Sequence, residues 1–378
     1  AVPVAIDATR HAGTPTPDRS TTSAFDPGAA HRALPKPTKI PAFPLSMSAT
    51  PRAALATPPA TCVARVLPAT HGFTAAVVTD GDPSGKYLAG YQYADVGDGG
   101  IGQYGVLWTD GKLTTLKESG TDESVSVNSH GVVVGSGIDV EHGKSVQVAW
   151  EYVNGKVTTL HSSLGSYKVA DINDSGQILA VPVPTVIDGP TPAPATPAAP
   201  VVIDGRSVRK LASVDGDGQM FEGSIDEDGT VVGMVAQTGR AYVWSPDGRV
   251  RELTGAGTGM DVQSIHDGWV TGGSGNGNPD EPGLYTAERW DLRNAAGSVV
   301  SNFSTGMNAA INSSGWIVGM SGPKPAVYWG AHVTVLPQPP GGNGDAGSNA
   351  TSISDDGHVI GGQTNLGNKV VPVEWRCH

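Results

Sequence analysis

One short element recurs along the chain and limits what it can fold into. INDSGQILAV begins at Ile172, IDEDGTVVGM at Ile225, INSSGWIVGM at Ile311 and ISDDGHVIGG at Ile353. Each joins two hydrophobic segments through an Asn/Asp/Ser-rich turn ending in glycine. Asx side chains bond nearby backbone in such turns, and glycine accepts the positive φ they need. The turn glycines are Gly85, Gly131, Gly176, Gly229, Gly268, Gly315 and Gly357, at spacings of 46, 45, 53, 39, 47 and 42 residues. Seven units at this period point to propeller blades or a solenoid.

A second signal runs in step with the first. Trp108, Trp150, Trp244, Trp290, Trp329 and Trp375 each end a strand-like run, with Ile203 in that place in the third unit. TDGKLTTL, EYVNGKVTTL, DGRSVRKL and SPDGRVREL then supply a tight turn and a further strand. Each unit therefore reads as four antiparallel strands, and the Trp residues as packing between units. The seventh unit lacks its last strand, because only Arg376, Cys377 and His378 follow VVPVEW. CVARVLP at 62–68 is a spare strand at the other end. If it completes the last unit, Cys62, the chain's only other cysteine, meets Cys377. A disulfide there locks a ring and implies an oxidising compartment. The expected fold is thus all-β: a seven-bladed β-propeller of four-stranded blades over 62–378, closed by an N-terminal strand. Residues 1–61 read as a Pro-rich flexible leader or tether. The Pro/Ala tract at 190–200 and GSGNGNPDEPGLYTAE at 273–288 read as loop insertions.

The INxxGxxVG element, the strand ending in Trp and the DGxVxxL run together resemble the repeats of secreted bacterial HAF-repeat propellers. Leu179-Ala180, where other units carry Val-Gly, departs from that pattern. The Pro-rich leader, acidic propeller and terminal cysteines also resemble a streptomycete family of secreted proteins. That resemblance implies a link to transglutaminase cross-linking and to the autolysis of a neutral metalloprotease.

The net charge of −12 argues against a nucleic-acid partner, and no apolar run is long enough to span a membrane. Gly97-Asp98-Gly99-Gly100-Ile101-Gly102 matches GxGxxG, but its context leads into a strand, whereas a dinucleotide site needs a helix there. Asp80, Asp82 and Ser84 resemble the start of a calcium loop, with Tyr91 standing where a bidentate acid belongs. Asp215, Asp217 and Gln219 are a weaker version. HExxH and GxSxG are both missing, and Ser136, His266 and Asp267 form a triad only if the fold gathers them. No catalytic residue, metal or cofactor is assigned. Gln92, Gln103, Gln338 and Gln363 lie in Gly-rich or polar sequence, and the resemblance makes each a candidate cross-linking site, the alternative being an ordinary solvated amide.

The leading expectation is a secreted, non-enzymatic propeller, monomeric before cross-linking. It would bind an extracellular protein, with a transglutaminase and a neutral metalloprotease as the partners implied. The alternatives are an extracellular glycan-active hydrolase or lyase and a carbohydrate-binding propeller.

Overall fold

The computed structural model describes residues 57–378, apart from 98–99, 117–120, 142–143, 161–166, 184–198, 206, 215–219, 236–238, 255–257, 276–284, 294–295, 307 and 344–346. Most of the expected leader, of the Pro/Ala tract and of the 273–288 loop therefore lies outside the described residues, as does the weaker 215–219 calcium candidate.

The chain is all-β and multi-sheet. β1 (Cys62–Val66) precedes a four-strand meander of β2 (Phe73–Gly81), β3 (Tyr87–Gly97), β4 (Gly100–Thr109) and β5 (Lys112–Thr115). The second unit is β6 (Thr121–Val127), β7 (Val133–Glu141), β8 (Lys144–Val153) and β9 (Lys156–Leu160). The third is β10 (Tyr167–Ile172), β11 (Ile178–Pro182), β12 (Val201–Asp204) and β13 (Ser207–Lys210). The fourth is β14 (Met220–Ile225), β15 (Val231–Val235), β16 (Arg240–Trp244) and β17 (Val250–Leu253). The fifth is β18 (Thr258–His266), β19 (Trp269–Gly275), β20 (Tyr285–Asp291) and β21 (Ala296–Ser304). The sixth holds β22 (Ile317–Ser321), β23 (Lys324–Tyr328) and β24 (Val333–Val335); the last holds β25 (Asn349–Ile353), β26 (Val359–Leu366) and β27 (Lys369–Cys377).

The sixth unit departs from the four-strand expectation. Its first strand is reduced to a bridge between Ile311 and Ile317. Gly306 at φ 58° and Asn308 at φ 60° turn the chain left-handed just before it, which breaks an extended run. β21 partly takes the vacated edge through Ser304 and Met320.

The seven turn glycines all have φ between 70° and 85°, values at which a Cβ is strained. Asn128 explains the turn chemistry. Its Oδ1 accepts from the amides of His130 and Val132, closing its own turn, while its Nδ2 donates to the Asn173 carbonyl of the next unit at 3.1 Å. Asn173 donates likewise to the Asp226 carbonyl, and Asn312 to the Ser354 carbonyl. The repeated Asx therefore shapes one turn and fastens it to the next.

The second glycine of the repeat has a different cause. The first strands of units 1, 2, 3, 5 and 7 carry a bulge, between Val78 and Asp80 in unit 1, Val262 and Ser264 in unit 5, and Ala350 and Ser352 in unit 7. A Cβ at Gly90 would lie 2.0 Å from the Val77 carbonyl oxygen, and one at Gly272 1.9 Å from that of Asp261. Glycine makes room for the bulge, and the bulge re-aims the residue that follows it.

Packing between units forms the core. Val232, Val243 and Leu253 of unit 4 meet Val262, Val270 and Trp290 of unit 5. Trp108, Trp150, Trp244, Trp290, Trp329 and Trp375 are all buried. The indole N–H of Trp108 donates to the Pro68 carbonyl, that of Trp244 to Ala212, Trp290 to Thr254 and Trp375 to Pro337. These bonds satisfy the one polar atom that burying each ring would otherwise strand.

The first and last strands meet. β1 pairs antiparallel with β27, with Cys62 opposite Cys377, and the two cysteines form a disulfide. Glu374, 1% exposed, pairs with Arg65 across this seam at 2.9 Å and with Arg376 of its own strand at 2.6 Å.

Candidate functional site

The first strands converge on a pocket of about 70 Å³, lined by residues from all seven units. That is room for a few waters or one small polar group, so a larger ligand would sit at its mouth. Two positions of the repeat supply its chemistry. The residue just before the turn's first hydrophobic position faces the pocket as Asp171, Ser224 and Ser264, with Asp80 and Ala310 at the matching places in units 1 and 6. The residue two places after that hydrophobic position supplies Asp174, Glu227 and Asp355.

Asp80 and Asp171 are joined through Ser126. The serine Oγ lies 2.7 Å from Asp80 Oδ2 and 2.7 Å from Asp171 Oδ1. Asp80 also accepts from the Val127 amide, and Asp171 from Ser224 Oγ at 2.6 Å and the amides of Ile172 and Ile225. Burial and then the Asp171 charge raise Asp80 to about 7 despite these donors. Burial also raises Asp171.

Across the pocket, Nε2 of His266 lies 3.1 Å from Asp355 Oδ1. Burial works against the imidazolium, but the bond to Asp355 and the charges of Asp355, Asp226 and Glu227 outweigh it and raise His266 to about 9. Burial works against ionised Asp355 too, and His266 overrides it, holding Asp355 below its ordinary value. Glu227 accepts from the Asp174 amide at 2.9 Å. Partial burial and the Asp174 carboxylate push it up to about 7. The pocket thus sets carboxyls raised toward neutrality beside a histidine raised by its carboxylate neighbours, an arrangement suited to proton transfer.

Asp82 caps its own turn by accepting from the Ser84 amide and hydroxyl and from the Tyr87 amide, while Asp80 turns away to Ser126. Gln92 is not an exposed loop side chain. It is fully buried on β3, and its carboxamide exchanges hydrogen bonds with Thr70. Gln103, Gln338 and Gln363 are half-buried, and Gln338 accepts from Thr364 at 2.5 Å. Ser136, His266 and Asp267 do not assemble: Ser136 accepts from the Val169 amide, Asp267 pairs with Arg293, and His266 turns to Asp355. The GxGxxG segment joins strands β3 and β4 and opens no helix. Glu227 and Asp355 were missed altogether. Stacking the seven units on their turn would have put them in one column.

No protein-family model matches the chain, and no curated protein does. Solved structures match in fold. A streptogramin B lyase is 9% identical, with a TM-score of 0.55 over 84% of this chain and 98% of that one. An oligogalacturonate lyase from Vibrio parahaemolyticus is 11% identical, with a TM-score of 0.52 over 84% and 96%. YCF48 bound to D1 peptide is 12% identical, with a TM-score of 0.51 over 85% and 98%. At such identities the likeness is one of fold, to propeller-like multi-sheet proteins that include both lyases and a peptide-bound member. The expectation that the chain is not an enzyme is thereby overturned. Lyases are built on this fold, so a missing linear motif does not argue against catalysis. No helix among the described residues is long and apolar enough to cross a membrane.

Proposed function

We propose that the protein is an extracellular propeller enzyme of the hydrolase or lyase class, acting on a glycan presented at the mouth of the central pocket. The observation that carries this reading is the convergence of Glu227, the His266–Asp355 pair and the Asp80–Ser126–Asp171 bridge on one polar pocket. Glu227, raised to about 7, moves the proton. His266, held cationic, stabilises negative charge as it develops. The glycan class draws support from the fold shared with an oligogalacturonate lyase.

The architecture proposed with it is a closed ring of seven blades over 62–378, with 1–61 as a tether. First strands packing in succession, and β25 and β26 against β2, support closure. The disulfide supports an oxidising, extracellular setting. The finer family likeness, to HAF-repeat and autolysis-linked propellers, suggests protein partners, as does the peptide-bound YCF48. Cross-linking through the four glutamines has less support, since one is buried and three are half-buried.

The test is incubation of the purified protein with neutral and uronate-containing oligosaccharides near pH 7, with chromatography of the products. Ultraviolet absorbance of an unsaturated product separates a lyase from a hydrolase. Glu227→Gln should lower turnover by roughly 10²–10⁴-fold with the fold intact. Turnover unaffected by this change, or none on any glycan, would count against the reading.

A further inference from the structure

Ser126 has one hydroxyl hydrogen and two carboxylate neighbours. Its Oγ lies at 2.7 Å from an oxygen of Asp80 and from an oxygen of Asp171. A hydroxyl donates one hydrogen bond and can accept others. Only one of these contacts can therefore be a donation from serine. The other is a hydrogen bond only if that carboxyl carries a proton and donates it to Oγ. Were both carboxylates ionised, one would face the serine lone pairs at 2.7 Å, with the other carboxylate about 5.4 Å away at most, twice that bond length. Like charges so placed do not both ionise readily.

We propose that Asp80, Ser126 and Asp171 form a binding site for a single proton shared by three successive units, and that its release as pH rises switches the charge of the central pocket. One contact joins unit 1 to unit 2 and the other joins unit 2 to unit 3, so losing the proton loses one of two inter-unit bonds. The remaining oxygens reinforce the arrangement. Asp171 Oδ2 accepts from Ser224 Oγ and the Ile225 amide, which ties unit 4 to the same carboxyl.

The surroundings leave the proton unopposed. On β6, β14 and β25 the residues at the pocket are Val127, Ser224, Ile225 and Ile353, none ionisable. Beyond β10 and β14 the pocket is lined by Asp174 and Glu227, with Asp226 beside Glu227, all acidic. The carboxylate of Asp82 on the following turn is bonded to Ser84 and Tyr87. Among the pocket-lining residues His266 is the one side chain that can be cationic, and it is paired with Asp355. Burial raises both members, Asp80 to about 7, so release falls near neutrality. The two steps belong to the pair, not to either residue alone. This proton site stands independently of any glycan chemistry.

The test is a pH titration of the full chain labelled with ¹³C at the Asp side-chain carboxyl carbons, followed by NMR from pH 3 to 9 without substrate. Asp80→Asn and Asp171→Asn assign the two signals. In wild type the two steps should be separated, with the upper one near 7. Asp171→Asn should lower the step of Asp80 by about one unit or more, since the serine then donates to it without a rival. Two wild-type steps both below about pH 5 would overturn the proposal. So would a raised step unmoved by removing its partner. If a variant fails to fold, the wild-type titration decides by whether a step near 7 is present.

Discussion

Units 3 and 5 have the same bulged first strand but different turns, and the difference locates the chemistry. Unit 3 runs Ile172-Asn173-Asp174-Ser175-Gly176, and Asn173 spends its carboxamide on closing that turn and on the next unit. Unit 5 runs Ile265-His266-Asp267-Gly268, one residue shorter, with Asp267 at φ 45° and Gly268 at φ 70° making a two-residue hairpin. No loop remains for the residue after Ile265 to cap. That residue is His266, and its ring reaches Asp355 of unit 7. The amides of Asp267 and Gly268 are satisfied from outside by the Asp226 carboxylate. An Asn in unit 4 would offer one amide oxygen and an unwanted donor, so Asp stands where its neighbour's turn is short. The kept turns of units 3, 4 and 7 supply both scaffold and the carboxyls Asp174, Glu227 and Asp355, and the shortened turn of unit 5 adds a ring that those turns do not offer.

The comparison can be broken at several strengths. The largest stability loss should come from the seam, which belongs to the scaffold. Replacing Cys62 and Cys377 together by Ser should cost about 2–5 kcal/mol in denaturant unfolding, with pocket titrations unchanged. Next, Asn173→Ala removes the cap of unit 3 and its bond to unit 4, and should cost about 1–3 kcal/mol. His266→Gln should abolish most turnover, whereas Asn173→Ala should leave turnover largely intact at temperatures where the fold persists. Equal losses of turnover in the two folded variants would erase the distinction between them.

The smallest effect is on the pH dependence of stability, and its sign is fixed by the direction of each shift. Asp80 and Asp171 are raised from 3.8, so their contribution is complete below that value and lost as pH rises, through about 7 for Asp80. His266 is raised from 6.5, so its contribution is complete below 6.5 and lost as pH rises through about 9. Asp355 is lowered, so its contribution is present above 3.8 and lost as pH falls through its folded value. Asp80→Asn should flatten the decline between about pH 4 and 7 by up to one proton's worth of slope in urea titrations. An unchanged slope would contradict the assignment of Asp80.

Much of the fold was legible because its determinants are local. Turn glycines need positive φ wherever the turn occurs, so they recur in step, and the Trp residues recur because a large buried ring packs most units against a neighbour, with Ile203 in that place in unit 3. The pairing of Cys62 with Cys377 was legible from a missing strand at one end and a spare one at the other. The pocket was hidden because its residues are single positions scattered from Asp80 to Asp355 and varied in identity, as Asp80, Ser126, Asp171 and Ser224 show. Gln92 was misread for a related reason. Gly90 beside it suggests a loop, yet that glycine serves a strand, where it admits the Val77 carbonyl of a bulge. The short turn at His266 was visible in the sequence as one residue fewer before glycine, but which way the freed ring points depends on the opposite side of the pocket.

The most direct test of the claim that the shortened turn of unit 5 frees a side chain for the pocket is the titration of His266 itself. Proton NMR of its imidazole, assigned with His266→Gln, should give a midpoint near 9, and Asp355→Asn should move it back toward the ordinary value of 6.5. A midpoint at or below 6.5 in the wild-type protein, indifferent to Asp355, would mean that the freed side chain is not joined to the opposite unit, and the account of the pocket would fail.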